Sequence, residues 1–169
     1  MARIVIAYKF LKAGRAAPFT GFVWPVDEWV EARHVETCRG GIHACRIQHL
    51  PIWMGAELWE IELDGEVVEE ARKLVATRGR LTHRIDRWND ELLEEFGAFC
   101  VERTRKSVGF LPVTSGYVAD VERFVAQRRY AIAGFAAARA AEVRDGPTGY
   151  DRERELQAAW LAAQLGLDE

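Results

Sequence analysis

Cysteine and histidine bunch in one stretch of this chain. Residues 34 to 49, HVETCRGGIHACRIQH, hold three of its four histidines and two of its three cysteines. Thiolates and imidazoles bind zinc, usually four in a tetrahedron. The candidates are His34, Cys38, His43, Cys45 and His49. Familiar structural zinc sites use paired C-x-x-C knuckles, whereas here four residues separate Cys38 from His43 and one separates His43 from Cys45. The shorter spacing places two side chains on one side of a strand, so a metal site would use Cys38, His43 and Cys45.

The same residues suit acid–base or nucleophilic chemistry. Histidine titrates near neutrality, and His43 follows Gly40-Gly41, where the backbone can come close to a ligand. A Cys38 or Cys45 thiolate paired with His43 is a further option, although no orienting Asn or Asp stands out. Against these readings, Cys45 equally fits a small buried hydrophobe, and His34 and His49 fit solvated loop residues. Trp24, Trp29, Trp53 and Trp59 crowd the same half of the chain. Aromatic rings line ligand pockets as well as cores. Trp24, between a Gly-containing loop and Pro25, is the one expected beside a ligand, and Trp59 belongs to the core. The run VERTRKSVG and the pair Arg128-Arg129 offer guanidinium groups to a phosphate or carboxylate, or simply a solvated face.

Composition narrows the class. A chain of 169 residues and 19.2 kDa fills one domain, and 49% hydrophobic residues with six Trp exclude a disordered chain. The net charge of -3 and pI near 5.9 give no basic field, so nucleic acid is not an expected partner. No stretch reaches the roughly 20 apolar residues of a membrane span. The opening MARIVIAYKFLKAG lacks a long apolar core and a small-residue cleavage site, and reads as a first strand rather than a signal peptide. An odd number of cysteines, with Cys100 far from the others, argues for reduced thiols and a cytoplasmic location.

The elements divide the chain into a β half over residues 1–85, carrying the candidate site, and a helical half over 86–169. RIVIAYKF is a buried strand, GGIHACRI a short strand opened by paired glycines, and LPIWMGA one helical turn started by Pro51. In WPVDEWVEA, Pro25 is placed to open a short helix. In LWEIELDGEVVEE, Trp59, Ile61 and Leu63 alternate with Glu60, Glu62 and Asp64. There Asp64-Gly65 predicts a hairpin turn with EVVEE as the return strand. KLVATRGRLTHRI adds one or two strands bent at Arg78-Gly79. From Asp86 the period changes to three and four, with Trp88, Leu92, Phe96, Phe99 and Arg103 in one stripe and Cys100 on or beside it. A second helix is expected over 117–143, buried through Tyr117, Val121, Phe124, Val125, Ile132 and Phe135. Its AIAGFAAARAA segment suits close packing, internal or in a homodimer. After the interruption RDGPTG, a third helix over 150–165 buries Leu156, Trp160, Leu161 and Leu165. The expected fold is a single α+β domain: a mixed or antiparallel sheet of five to six strands packed with a C-terminal layer of three helices.

The order AYKFLKAG, GIHACR, LPIWMGAELWEIELDGEVV is similar to uncharacterised bacterial proteins built around a C-x-x-G-x-H-x-C segment. Cys38, Gly41, Ile42, His43 and Cys45 carry that likeness, over roughly residues 3–85. More distantly, the layout resembles the ADP-ribosyltransferase-like fold. That resemblance makes VIAYKF the early strand, with Tyr8 or Lys9 where the family has His or Arg. It makes GIHAC the strand whose aromatic stacks on nicotinamide, with His43 in place of Tyr, and takes the catalytic Glu from Glu60 or Glu62. NAD is the substrate it implies.

These readings converge on a pocket for a small molecule or nucleotide. His43, Lys9 and Cys45 are its candidate catalytic residues, and Tyr8, Trp24, Cys38 and Arg46 its candidate ligand contacts. An ADP-ribosyltransferase-like enzyme is its sharpest form. The alternatives are a non-enzymatic interaction module, docking a partner or a second copy through the C-terminal helices, and a zinc-stabilised fold.

Overall fold

The computed structural model describes residues 4–33, 35, 40–108 and 115–167. His34 and Cys38 lie outside the described residues. The chain divides into two compact units, Met1–Trp88 and Asn89–Glu169. The fold is α+β, with the sheet in the first unit and most of the helix in the second.

The first unit is a five-stranded antiparallel sheet among the described residues. Its strands are β1 (Val5–Leu11), β2 (Val30–Glu31), β3 (Ile42–Ala44), β4 (Glu57–Glu69) and β5 (Leu74–Arg84), in the order β1-β4-β5-β2, with β3 also on β5. One short helix, α1 (Leu50–Trp53), follows a 3-10 turn over Ile47–His49. Period-2 alternation supplies the core, in which Ala7 and Leu11 of β1 meet Trp59, Ile61 and Leu63 of β4 and Ala76 and Leu81 of β5. The opposite face of β4 is acidic and pairs with bases on β5. Glu62 meets Arg80 at 2.5 Å, Asp64 meets Arg78 at 3.2 Å, and Glu60 accepts from the Thr82 hydroxyl at 2.9 Å. Trp29 lies against the guanidinium groups of Arg78 and Arg80, at 4.3 and 4.8 Å from its ring centroid.

Two local expectations are overturned. Asp64-Gly65 does not turn the chain; β4 runs through it to Glu69, and the hairpin turn is at Glu70–Lys73, closed by Glu70 N–H to Lys73 carbonyl at 2.9 Å. Gly65 instead makes a bulge. Asp64 pairs Arg78 and Val67 pairs Ala76, so two residues of β4 oppose Thr77 alone. Gly65 takes φ +75, and the Thr77 hydroxyl accepts the Glu66 N–H at 3.1 Å. This is the left-handed glycine bulge, which bends a strand and raises its twist. WPVDEWVEA is not helical either. Val26 bridges to Leu81, Asp27 has φ 61, and β2 begins at Val30. Pro25 supplies only the fixed φ of an extended chain.

A second irregularity, between Trp59 and Ile61, places two β5 residues opposite one of β4. With both bends the sheet curls until its ends meet. Beyond β3, Cys45 pairs with Tyr8 of β1, their backbones exchanging bonds of 2.8 and 2.7 Å. The ladder β1-β4-β5-β3 thus closes on β1. Gly79 serves that tight curl, because a Cβ there would stand 3.0 Å from Ile42 and 3.2 Å from Ile61.

The second unit holds four helices among the described residues: α2 (Asp90–Val108), α3 (Ser115–Ala126), α4 (Tyr130–Asp145) and α5 (Pro147–Leu165). Three were expected. The expected 117–143 helix breaks at Arg128, whose φ is 56, and becomes α3 and α4. The Asn89 side chain caps α2 by accepting the Leu92 N–H at 2.9 Å. Gly146, at φ +73, separates α4 from α5, and Pro147 opens the latter. Phe135 and Leu156, expected inside, are exposed. The buried face of α5 uses Glu153 and Gln157 instead. Glu153 accepts from Arg103 at 2.8 Å, and Gln157 donates to the Gly134 carbonyl at 2.9 Å. The small residues Ala133, Gly134, Ala137 and Ala141 of α4 are buried within this unit. No helix of the described residues is long and apolar enough to cross a membrane.

Gly65→Ala tests the bulge. An alanine at φ +75 costs about 1–2 kcal/mol, and its Cβ would fall 2.4 Å from the Thr77 hydroxyl oxygen. Urea denaturation should show a lower midpoint with an unchanged slope. A variant as stable as the parent would contradict a left-handed backbone at this position.

Candidate functional site

Lys9 is the polar anomaly of the core. Strand alternation places it with Ala7 and Leu11 on the inner face of β1, opposite Trp59. It is 8% exposed. Its Nζ donates to the His43 carbonyl at 2.6 Å and stands 4.8 Å from the centroid of the Trp24 ring. Among the described residues no carboxylate pairs with it. Burial therefore dominates its titration and lowers its pKa from 10.5 to about 8, with the Cys45 thiol acting weakly the other way.

Trp24 reaches Lys9 from the loop over residues 12–27. Ala16 bridges both Lys12 and Val23, and the Trp24 N–H bonds the Arg15 carbonyl at 3.1 Å. Two non-glycine residues with left-handed backbone, Arg15 and Asp27, stand on either side of Trp24. The buried carboxylate of Glu57 ties this loop down. It accepts the Gly14 N–H and the Trp59 indole N–H, each at 2.9 Å, with Arg84 at 3.9 Å. Burial pushes its pKa up, but those donors and the Arg84 charge outweigh it and hold the carboxyl below its usual value. Beyond the clamp, Phe19 is almost wholly exposed.

His43 and Cys45 come from β3 and the residue after it. Ile42 and Ala44 point into the core, so half-buried His43 projects from the other face, and its link to Lys9 runs through the backbone carbonyl. Burial first, then the charges of Lys73 and Lys9, lower the imidazole pKa; a hydrogen bond with the Gly40 backbone and the Glu70 charge oppose them. His43 is thus neutral near neutrality. Cys45 is 2% exposed and stands beside buried Tyr8 in the closing pair. Burial raises its pKa to about 12 against the opposing Lys9 charge. A thiol so placed stays protonated and inert.

Lys9, Trp24 and the His43 carbonyl thus meet at the seam between β1 and β3, which Tyr8 and Cys45 close through their backbone pair. Arg46 turns away into a bidentate pair with Glu69, at 2.7 and 2.8 Å. Burial, with Arg72 next, lowers the pKa of His49. Among the described residues no group of three or more His, Cys, Asp or Glu side chains could hold a metal ion, and Cys38 stands outside them. Of the arginines singled out in the sequence, Arg103 pairs with Glu153, Arg105 with Glu122 and Arg128 with Asp90, while Arg129 lies against the Phe124 ring. Glu57, the clamp of the Trp24 loop, was missed in the sequence. Its one visible mark there is that it precedes Leu58 at the start of an alternating strand.

The depressed pKa of Lys9 has a definite sign in stability. Between about pH 8 and 10.5 the unfolded chain holds a proton that the folded chain lacks, so raising the pH through this window favours folding. Relative to a Lys9→Met variant, the parent should gain about 3 kcal/mol from near neutrality to pH 10.5. The raised Cys45 thiol works oppositely above its ordinary value of 9.0, but it is present in both proteins. Paired urea titrations along the pH series check this. Parallel curves would mean that Lys9 titrates as an exposed amine.

No curated protein and no solved structure matches the chain. Residues 5–93 match the model of a domain of unknown function, DUF7666, which spans all five strands and closes just after Trp88. The match covers just over half of the chain, and the chain therefore belongs to the DUF7666 family.

Proposed function

We propose that the first unit is a small-molecule-binding module whose site lies where Lys9, Trp24 and the β1–β3 seam meet. The observation that carries this reading is an amine held in an apolar core with one carbonyl and one aromatic face for company among the described residues. Burying a cation without a counter-charge opposes folding, and such unfavourable placements concentrate at functional sites. A ligand with a planar ring and a negatively polarised oxygen complements both groups: the ring against Trp24, the oxygen on the Lys9 ammonium. The buried free thiols Cys45 and Cys100 fit the cytoplasmic setting expected from cysteine usage.

A nucleotide, with NAD turnover as its sharpest form, is one member of that ligand class. Support for the transfer chemistry is thinner than for binding. Glu60 and Glu62 lie on the face of β4 opposite the core, engaged with Thr82 and Arg80, while Lys9 lies inside. The homodimer through the C-terminal helices has less support still, since the small face of α4 is already covered within its own unit.

Differential scanning fluorimetry with NAD, ADP-ribose, ATP, nicotinamide and benzoate tests the reading. A ligand at about 100 times its Kd adds about 3 kcal/mol, a rise of several degrees in Tm. We expect at least one planar, oxygen-bearing compound to raise Tm in the parent and not in folded Lys9→Met. No response to any of these compounds would sink the proposal.

A further inference from the structure

Resting on that binding reading, we infer that Lys9 is a nucleophilic amine that condenses with the carbonyl carbon of an aldehyde or ketone ligand to form an imine. Three observations on its surroundings carry this. Lys9 is buried on the inner face of β1. Its Nζ donates to the His43 carbonyl at 2.6 Å, a bond that the neutral amine can keep while its lone pair stays free. No carboxylate among the described residues pairs with it to hold the proton in place. The Trp24 ring beside Nζ supplies an apolar wall for the substituent on the carbonyl. In support, burial brings the pKa to about 8, so a far larger share of Lys9 is free base near neutrality than for an ordinary lysine. The loop over residues 12–27 holds that ring in place, with the Trp24 N–H on the Arg15 carbonyl at 3.1 Å.

The step balances without any redox partner. The Nζ lone pair forms the N–C bond as the carbonyl π pair moves to oxygen. One amine proton passes through water to that oxygen, giving a carbinolamine. The nitrogen lone pair then forms C=N while the hydroxyl departs, taking the second amine proton with it as water. Amine plus carbonyl becomes imine plus water. His43 takes no proton in this scheme; its backbone carbonyl orients the amine, which makes residue 43 a positioning residue.

The chain carries lysine only at positions 9, 12, 73 and 106, so the others serve as internal standards. The full chain is treated with benzaldehyde and cyanoborohydride, which reduces an imine to a stable benzyl amine, and then mapped by peptide mass spectrometry. We expect Lys9 to be labelled several-fold faster than Lys12, Lys73 and Lys106 in the folded chain, and to lose that lead when the chain is unfolded in urea. Lys9→Arg keeps a cation and a donor without a nucleophile; once circular dichroism shows it folded, it should give no fast adduct. Labelling of Lys9 at or below the rate of the other three overturns the inference. Fluorimetry with benzaldehyde and with benzyl alcohol separates the two levels. A rise in Tm without the adduct removes the imine and leaves the binding site, whereas no rise and no adduct remove both.

Discussion

The closing pair between Tyr8 and Cys45 is the constraint on which the first unit depends. β3 is three residues long, and β1 meets it through a single bridge. Backbone groups two residues apart point the same way along a strand, so the His43 carbonyl, like that of Cys45, faces β1. The bridge stops at Tyr8, and the carbonyl takes its hydrogen bond from the Lys9 side chain. An unsatisfied buried carbonyl costs about 1–3 kcal/mol. Lys9 thus extends the seam by one bond beyond what the backbone provides. The same contact brings a positive charge into the core, and the proposed chemistry of the site starts from that.

Closure itself is set up elsewhere, by the irregularities of the β4–β5 hairpin. A flat antiparallel pair of eleven and thirteen residues would not bring β3 back to β1. One extra residue on β4 at Gly65 and one on β5 near Thr82 bend the two strands at different heights. Gly79 then lets Ile42 and Ile61 approach across the bend. The charged ladder on the outer face, from Glu60 to Asp64 against Thr82, Arg80 and Arg78, holds the register that these bulges would otherwise loosen. The Lys9 environment is therefore a product of distant turn chemistry as much as of the residues that touch it.

Much of this was legible in the sequence where side-chain period carries the signal. The β1 run, the strand after Gly40-Gly41, the Pro51 turn and the interruption at Gly146 all follow from local preferences. Asp64-Gly65 misled because a left-handed glycine serves a hairpin turn and a bulge equally well. Only the pairing of Val67 with Ala76, a tertiary fact, decides between them. The buried stripe of α5 was misread for another reason. Hydropathy assigns Glu153 and Gln157 to the surface, yet Arg103 and the Gly134 carbonyl satisfy them inside. Lys9 was singled out among the candidates, but its surroundings were not legible: alternation puts it on the inner face, yet nothing in one sequence supplies the carbonyl that makes the burial tolerable.

That difference moves the weight of the site from His43 to Lys9. By residue type, His43 is the natural acid–base group, and its neighbours Cys38 and Cys45 suggested a metal or a thiolate. In the folded chain, burial leaves the Cys45 thiol protonated, and the imidazole projects away from the core that its carbonyl helps to close. What β3 gives the core is therefore backbone: a carbonyl aimed at an amine. Strand geometry explains why both His43 and Lys9 matter to one site while only one of them presents its side chain there. In β1, alternation turns Lys9 inward; in β3, the same alternation turns Ile42 and Ala44 inward and His43 out. A group whose pKa is displaced by burial, oriented by a fixed carbonyl and flanked by an aromatic ring is what the proposed ligand site rests on. A half-exposed histidine among charged neighbours has the simpler task of staying neutral.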